Sequence, residues 1–155
     1  MTKYHYAEKV RRLAGFRYKA FISYRHLDEN WASWLQGALE KYRIPKIMVG
    51  KKTGYGEIPA RLDAVFRDRE DLSSSASLTE SVKHELSTLV VICSPAAAQS
   101  RWVKEEIRAF KELGRADRIY ALIVDGDPQS TDPAEQCFPS TLVSIRFCQA
   151  YGLCN

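Results

Sequence analysis

The sequence predicts an α/β domain built on a five-stranded parallel sheet with helices on both faces. Strand-like and helix-like segments alternate along the chain, and such alternation is typical of parallel sheets. Two runs, Leu89–Cys93 and Ile119–Val124, are short and almost continuously apolar, as strands buried on both faces are. With 155 residues, the chain has the length of one domain with a sizeable core.

The amino-terminal half is predicted to contain two strands joined by a helix. The segment 18–24 alternates and is rich in aromatic residues, so it predicts the first strand. Asp28 is the candidate N-cap of a helix that Pro45 closes. Its amphipathic pattern is formed by Trp31, Trp34, Leu35, Ala38, Leu39 and Tyr42.

A long surface loop is predicted between this helix and the second strand. Residues 44–60 hold glycines, lysines and two prolines. The segment Gly54-Tyr55-Gly56 lacks the further residues of a phosphate-binding loop. The second strand is the short run 64–66, and a charged, then serine-rich loop follows it.

The second half repeats the alternation. Ser77 is predicted to cap a helix with Leu86 on its inner face, and Ser94-Pro95 ends the third strand because proline removes a ladder donor. After a turn at 96–99, Ser100 is the candidate N-cap of a helix that Gly114 terminates. A polar loop at 125–139 leads to a weaker fifth strand at 142–148. The stripe of the 101–113 helix contains Trp102, Val103, Ile107, Phe110 and Leu113.

The predicted strand order is 2-1-3-4-5, which places a topological switch point between the first and third strands. Open α/β sheets bind ligands at such a point, beyond the carboxyl ends of the strands. Arg25 and His26, the 68–76 loop, and the first turns of the 101–113 helix should therefore converge on one crevice.

Trp102 and Glu106 are four residues apart and so share one helix face. An aromatic plane beside a carboxylate suits a cationic, planar group. The alternative is that Trp102 belongs to the core and that Glu106 is a solvated residue like its neighbour Glu105.

The composition of the chain argues against several classes of function and indicates a cellular compartment. The net charge of +4 comes without a dense basic block, so no nucleic-acid groove is predicted. No apolar stretch predicts a signal peptide or a membrane span, and the cytoplasm is the expected compartment. The cysteines form no metal-ligand spacing, and no metal or other cofactor is expected: Cys93, Cys137, Cys148 and Cys154.

Three segments together resemble the three boxes of a bacterial Toll/interleukin-1 receptor (TIR) domain. They are FISYRH, VFRDREDLSSSASL and ICSPAAAQSRWVKEEI, each at a predicted strand end. The resemblance implies a flavodoxin-like fold. It also implies cleavage of the nicotinamide–ribose bond of NAD+, with ADP-ribose or a cyclic isomer as product, in bacterial immune signalling or antiphage defence.

The same resemblance assigns residues. The catalytic glutamate of the family lies four residues after the tryptophan of the third box, which is Glu106 here. Trp102 then packs beside the substrate NAD+. The remaining positions that match substrate contacts are Tyr24, Arg25, His26 and Ser73.

The loop after the second strand, called the BB loop, mediates TIR–TIR self-association in the family. Its matching residues here are Asp68, Arg69, Glu70, Asp71 and Leu72. The expected domain runs from 17 to 148, after an extension at 1–16 and before a tail at 149–155. The usual last helix is missing after Cys148, so a fused sensor or repeat module beyond the carboxyl terminus is expected.

A single carboxylate is sufficient for cleavage of the nicotinamide–ribose bond. Loss of nicotinamide leaves an oxocarbenium-like ribose, and Glu106 can stabilise that positive charge. Arg25 can hold the pyrophosphate. Two alternatives remain open: a non-catalytic TIR–TIR adaptor module, and a generic nucleotide or receiver domain. A receiver would require an acidic cluster after the first strand, where Arg25 and His26 stand instead.

Overall fold

A computed structural model describes residues 20–53, 56–62, 65–67 and 86–142. Six strands lie in this part of the chain: β1 (Ala20–Ser23), β2 (Lys52–Thr53), β3 (Gly56–Glu57), β4 (Val65–Arg67), β5 (Leu89–Cys93) and β6 (Ile119–Ile123). Four of them form a sheet in the order β4-β1-β5-β6, and every neighbouring pair is parallel. The predicted order is thereby confirmed for the first four predicted strands.

The fifth predicted strand, the helix predicted from Ser77, the amino-terminal extension and the tail lie outside the described residues. One of the predicted boundaries can still be checked. Leu142 lies in a turn, where its backbone N–H donates to the carbonyl of Pro139 at 2.8 Å. The first residue predicted for that strand therefore lies in a turn, and the rest of the predicted strand lies outside the described residues.

Helices cover both faces of the sheet, as predicted. They are α1 (Glu29–Lys41), the short α2 (Pro95–Gln99) and α3 (Arg101–Glu112), with 3-10 turns at His26–Asp28 and Ala116–Arg118. The turn expected at 96–99 is thus helical, because the Ser94 hydroxyl caps it by accepting from the backbone N–H of Ala97 at 3.1 Å.

The core between the sheet and α3 confirms the inner stripe of that helix. Val103, Ile107 and Phe110 are buried against Phe21 of β1 and its neighbours in the sheet. Full burial of a side chain of this size stabilises the fold by roughly 1.5–3 kcal/mol. Trp102, which the sequence placed on the same stripe, is instead 47% exposed.

The apolar residues of α1 divide into two sets. Ala32 is buried on the other face of the sheet, and the partly buried Leu35 and Leu39 pack against that cluster. Trp31 and Trp34 face outward with their rings edge to face at 6.0 Å. Both sets have helical spacing, so the pattern alone did not show which one faces the core.

The predicted surface loop at 44–60 contains an antiparallel hairpin, formed by β2 and β3. The backbone N–H of Ile44 donates to the carbonyl of Ala60 at 3.3 Å, and Ile58 donates to Lys51 at 2.9 Å. The turn leading into β2 ends at Gly50, whose φ of +80° favours glycine. Most of the segment is exposed, as a surface loop is, but it contains a short hairpin that the sequence did not predict.

Candidate active site at the carboxyl edge of the sheet

Glu106 is bound to the end of the central strand. The hydroxyl of Ser23, the last residue of β1, donates a hydrogen bond to Oε2 of Glu106 on α3. Ser23 is 1% exposed, whereas Glu106 is partly buried. This contact joins strand and helix at the carboxyl edge of the sheet, which is where the topology predicts a ligand site.

Helix geometry separates Glu106 from its neighbour Glu105. With about 100° per residue, Glu106 lies roughly 60° from Val103, at the margin of the buried stripe. Glu105 lies on the opposite side, and its Oε1 accepts from Nε of the exposed Arg101 at 2.8 Å. The two carboxylates therefore differ in their partners, since Glu106 accepts from Ser23 of the strand and Glu105 pairs with Arg101 of its own helix.

Trp102 lies one turn before Glu106, in the first turn of α3. Its ring is 47% exposed, so it is not a core residue. The helix begins where the sequence predicted, because the Ser100 hydroxyl accepts from the backbone N–H of Val103 at 3.4 Å. A partly buried carboxylate and an accessible aromatic ring thus lie on one helix face at the sheet edge.

Tyr24 turns to the other face of the sheet, since successive residues of a strand alternate. Its hydroxyl donates to Oε2 of Glu29 at 2.9 Å, and Arg67 donates to Oε1 of the same carboxylate at 2.8 Å. The Arg67 guanidinium also lies 5.8 Å from the centre of the Tyr24 ring. This Tyr24–Glu29–Arg67 cluster holds the end of β4, just before the predicted assembly loop.

The structure brings some predicted site residues to the same edge and leaves others outside the described residues. Arg25, which is partly buried, and His26, which is exposed, directly follow the end of β1. Ser73 and the assembly loop, Asp68 to Leu72, lie outside the described residues, so their roles stay predictions. Among the described residues, no group of His, Cys, Asp and Glu could hold a metal ion. Within the same ranges, no helix is long and apolar enough to cross a membrane.

Asp28 links the segments that follow β1 and β5. The sequence predicted it as the N-cap of α1, but its side chain makes no capping hydrogen bond there. Its Oδ2 accepts instead from the Ser94 hydroxyl at 2.6 Å, which joins the turn after β1 to the turn after β5. Burial raises the pKa of Asp28 above its ordinary 3.8; the Ser94 bond opposes this and Asp125 adds to it.

We expect Asp28→Asn to stabilise the fold at neutral pH. A raised folded-state pKa means that this carboxyl favours folding below its unfolded pKa and that this contribution is lost as pH rises through the folded pKa. Asparagine stays neutral and keeps an acceptor for Ser94, so its advantage over aspartate should grow from pH 4 to 8. Denaturant unfolding across this range measures the difference.

The matched comparison is Asp28→Ala, which removes the acceptor of the Ser94 hydroxyl. We expect it to cost about 1–3 kcal/mol of unfolding free energy. If the difference between Asp28→Asn and the wild type were the same at every pH, the titration of Asp28 would make no contribution to stability.

Sequence reasoning missed Ser23, Glu29 and Arg67. The sequence did contain a sign that Ser23 is buried. Alternate residues of a strand share a face, so Ser23 lies on the same face as Phe21, which is fully buried. A hydroxyl in that row needs a partner, because buried polar groups are hydrogen-bonded. Which partner it has depends on a residue 83 positions away.

Together, Glu106 and Trp102 form a site suited to a developing positive charge. A carboxylate held in a partly buried place stabilises a cation more strongly than one in water. An exposed ring one turn away can pack on a planar group of a ligand.

Comparisons with known proteins identify the family of this chain. Residues 20–152 match the family described as TIR domain. Over 116 residues, the chain is 33% identical to NAD(+) hydrolase ApTIR of Actinoplanes sp., an alignment that covers 72% of this chain. The chain spans only 14% of the length of that relative. On the strength of the family match, which extends over most of its length, the chain belongs to the TIR domain family.

Proposed function

We propose that this TIR domain is an NAD+ glycohydrolase in which Glu106 is the catalytic residue. The observation that carries the proposal is the placement of Glu106: partly buried at the carboxyl edge of the sheet, bonded to Ser23, and one turn from the exposed Trp102. The similarity to a protein named NAD(+) hydrolase supports the same activity. We place the activity in bacterial immune signalling or antiphage defence, as the family resemblance implies.

The reaction breaks the bond between the ribose C1′ and the nicotinamide nitrogen. The bonding electron pair leaves with the ring, which departs as neutral nicotinamide and so needs no general acid. Positive charge develops on the ribose as an oxocarbenium-like species, and the Glu106 carboxylate stabilises it. Water then attacks C1′ and loses a proton to give ADP-ribose, or the adenine ring attacks to give a cyclic isomer.

The surrounding residues bind and orient the substrate. Trp102 offers its exposed ring to the nicotinamide or the ribose beside Glu106. We propose that Arg25, which follows β1, holds the pyrophosphate through charge-assisted hydrogen bonds and that His26 contacts the nucleotide. For Ser73 we propose a polar contact to the nucleotide. The Tyr24 hydroxyl donates to Glu29, so we propose that Tyr24 fixes the position of the residues that follow β1 at the substrate site.

The direct test is to incubate the purified protein with NAD+ and resolve the products by chromatography. Release of nicotinamide together with ADP-ribose or a cyclic isomer supports the proposal. Intact NAD+ after incubation at high protein concentration would contradict it and would favour the adaptor alternative. The product peak also separates hydrolysis from cyclisation.

We further propose that activity requires self-association through the loop at 68–76. In TIR domains that assemble in this way, the loop of one subunit borders the site of another. Specific turnover should then rise with protein concentration, and Asp71→Lys should reduce that rise by opposing contacts across the interface. Turnover against enzyme concentration, with sedimentation in parallel, measures both.

Because Asp71 lies in a charged, hydrophilic stretch, the substitution should change the unfolding free energy by only about 0.5 kcal/mol. Full activity from a strict monomer would exclude the assembly requirement and would leave the assignment of Glu106 unaffected.

A further inference from the structure

Ser23 is a polar residue in an apolar row. Phe21, two positions earlier on the same strand face, is fully buried against α3, in the cluster that also holds Val103 and Ile107. Ser23 itself is 1% exposed and pairs in register with Val91 of β5. A hydroxyl at such a place costs stability unless it is hydrogen-bonded, so its retention here calls for a specific partner.

That partner is the carboxylate of Glu106. A serine hydroxyl has one proton to donate, and an ionised carboxylate is an acceptor only. The bond therefore directs the Ser23 proton onto Oε2 of Glu106. Ser23 ends a central strand that pairs with β4 and with β5, and Ser23 itself pairs with Val91, so the sheet fixes the backbone that carries the hydroxyl.

We propose that Ser23 is a positioning residue for catalysis, one that aims the Glu106 carboxylate at the ribose and keeps it ionised; this rests on the proposed function. The aim follows from the geometry, since a glutamate on a helix surface has three rotatable bonds and the Ser23 contact restricts them. The ionisation follows from the donor, because a hydrogen bond to the charged form favours that form. Ser23 acts through Glu106 and takes no part in bond breaking.

The test is Ser23→Ala, with NAD+ cleavage followed by nicotinamide release. Misplacement of a catalytic group by as little as 1 Å can cost about 100-fold, so we expect kcat to fall about 10- to 100-fold. KM should change less than about threefold, because the proposed nucleotide contacts are made by other residues. The acid limb of the kcat profile should move to higher pH, since loss of one hydrogen-bond donor to the charged carboxylate makes Glu106 easier to protonate.

Other charged groups at this edge stay constant in the comparison. Arg25, His26 and Asp28 follow β1, and Asp125 follows β6. The Arg101–Glu105 pair lies on the helix side. These charged groups exert the same electrostatic effect on Glu106 in the wild type and in Ser23→Ala. A shift of the acid limb between the two proteins therefore reports on the Ser23–Glu106 bond.

The matched control is Ser87→Ala. Ser87 is also a buried serine, 5% exposed, and its Oγ lies 3.3 Å from that of Thr88. It precedes β5 and so lies at the opposite, amino-terminal edge of the sheet. We expect Ser87→Ala to keep the kcat and pH profile of the wild type, even if its thermal stability falls.

Ser23→Cys is the second variant, and it tests the same inference if the Ser23→Ala protein does not fold. The thiol is close in shape but a weaker donor, so its kcat should lie between those of serine and alanine. Activities in the order serine, cysteine, alanine, together with the shifted pH profile, support the inference.

Two results would overturn the inference, and they are distinguishable. If the wild type cleaves NAD+ and both Ser23 variants keep its kcat and pH profile, Ser23 is a structural residue only. If the wild type releases no nicotinamide, the proposed function fails and the role of Ser23 fails with it.

Discussion

Replacing Glu106 with glutamine should abolish NAD+ cleavage while the fold persists. The substitution keeps the shape of the side chain and an oxygen that can accept from Ser23, but it removes the negative charge. Loss of one group that stabilises transition-state charge typically costs about 100- to 1,000-fold in kcat, and we expect at least that loss here. Nicotinamide release measures it, with circular dichroism and thermal unfolding as checks of the fold.

The control for this prediction is Glu105→Gln. Glu105 is one residue away, yet it points to the other side of α3 and pairs with the exposed Arg101. An exposed pair of this kind contributes about 0.3–0.5 kcal/mol, so the control should fold and cleave NAD+ normally. If only Glu105→Gln were inactive, or if both variants kept full turnover, the assignment of Glu106 would be wrong.

The largest loss of stability is expected from Gly126→Ala. Gly126 has φ +83°, and an added Cβ would lie 2.4 Å from the carbonyl oxygen of Glu135 and 2.9 Å from Cβ of Cys137. The first contact is with backbone, which a side-chain rotation cannot relieve. Left-handed strain and overpacking each cost about 1–3 kcal/mol, so we expect a loss of about 2–5 kcal/mol by denaturant unfolding.

Gly114→Ala separates strain from crowding. Gly114 ends α3 with φ +70°, as the sequence predicted, but an added Cβ there meets nothing within 4 Å. Only the left-handed conformation is then penalised, by about 1–2 kcal/mol. Equal losses at the two glycines would show that the segment around Gly126 relaxes to admit the extra carbon.

An added side-chain atom at Gly126 cannot be accommodated easily, because hydrogen bonds fix the loop after β6. The predicted polar loop at 125–139 folds around Gln136, whose Nε2 donates to the carbonyl of Ser130 at 2.8 Å. Its Oε1 accepts from the backbone N–H of Phe138 at 2.8 Å. Cys137 and Leu142 then join the core beside α3. The sequence identified this segment as polar and irregular. It did not show that the Gln136 side chain bonds to backbone groups of the same loop and so fixes its shape.

Local pattern was sufficient for the fold class and the start of α3, whereas the strand order was an expectation that the tertiary structure confirmed for the first four predicted strands. Strand periodicity, the apolar run before Ser94 and the capping role of Ser100 each depend on residues close together in the chain, so the sequence contains the whole signal. The match of three boxes to the TIR family, with the four-residue spacing from Trp102 to Glu106, likewise needed no tertiary information.

Contacts between distant residues were decided only by the tertiary structure. Helical spacing did not show that Trp31 and Trp34 face outward while Leu35 and Leu39 pack on the sheet, because both sets satisfy the same period. The partner of Asp28 is 66 positions away, and the partner of Ser23 is 83 positions away. The sequence, through its resemblance to the TIR family, indicated Glu106 as the carboxylate at the sheet edge. What holds it there was decided by the packing of α3 across β1, because that packing alone brings the Ser23 hydroxyl within bonding distance of Glu106.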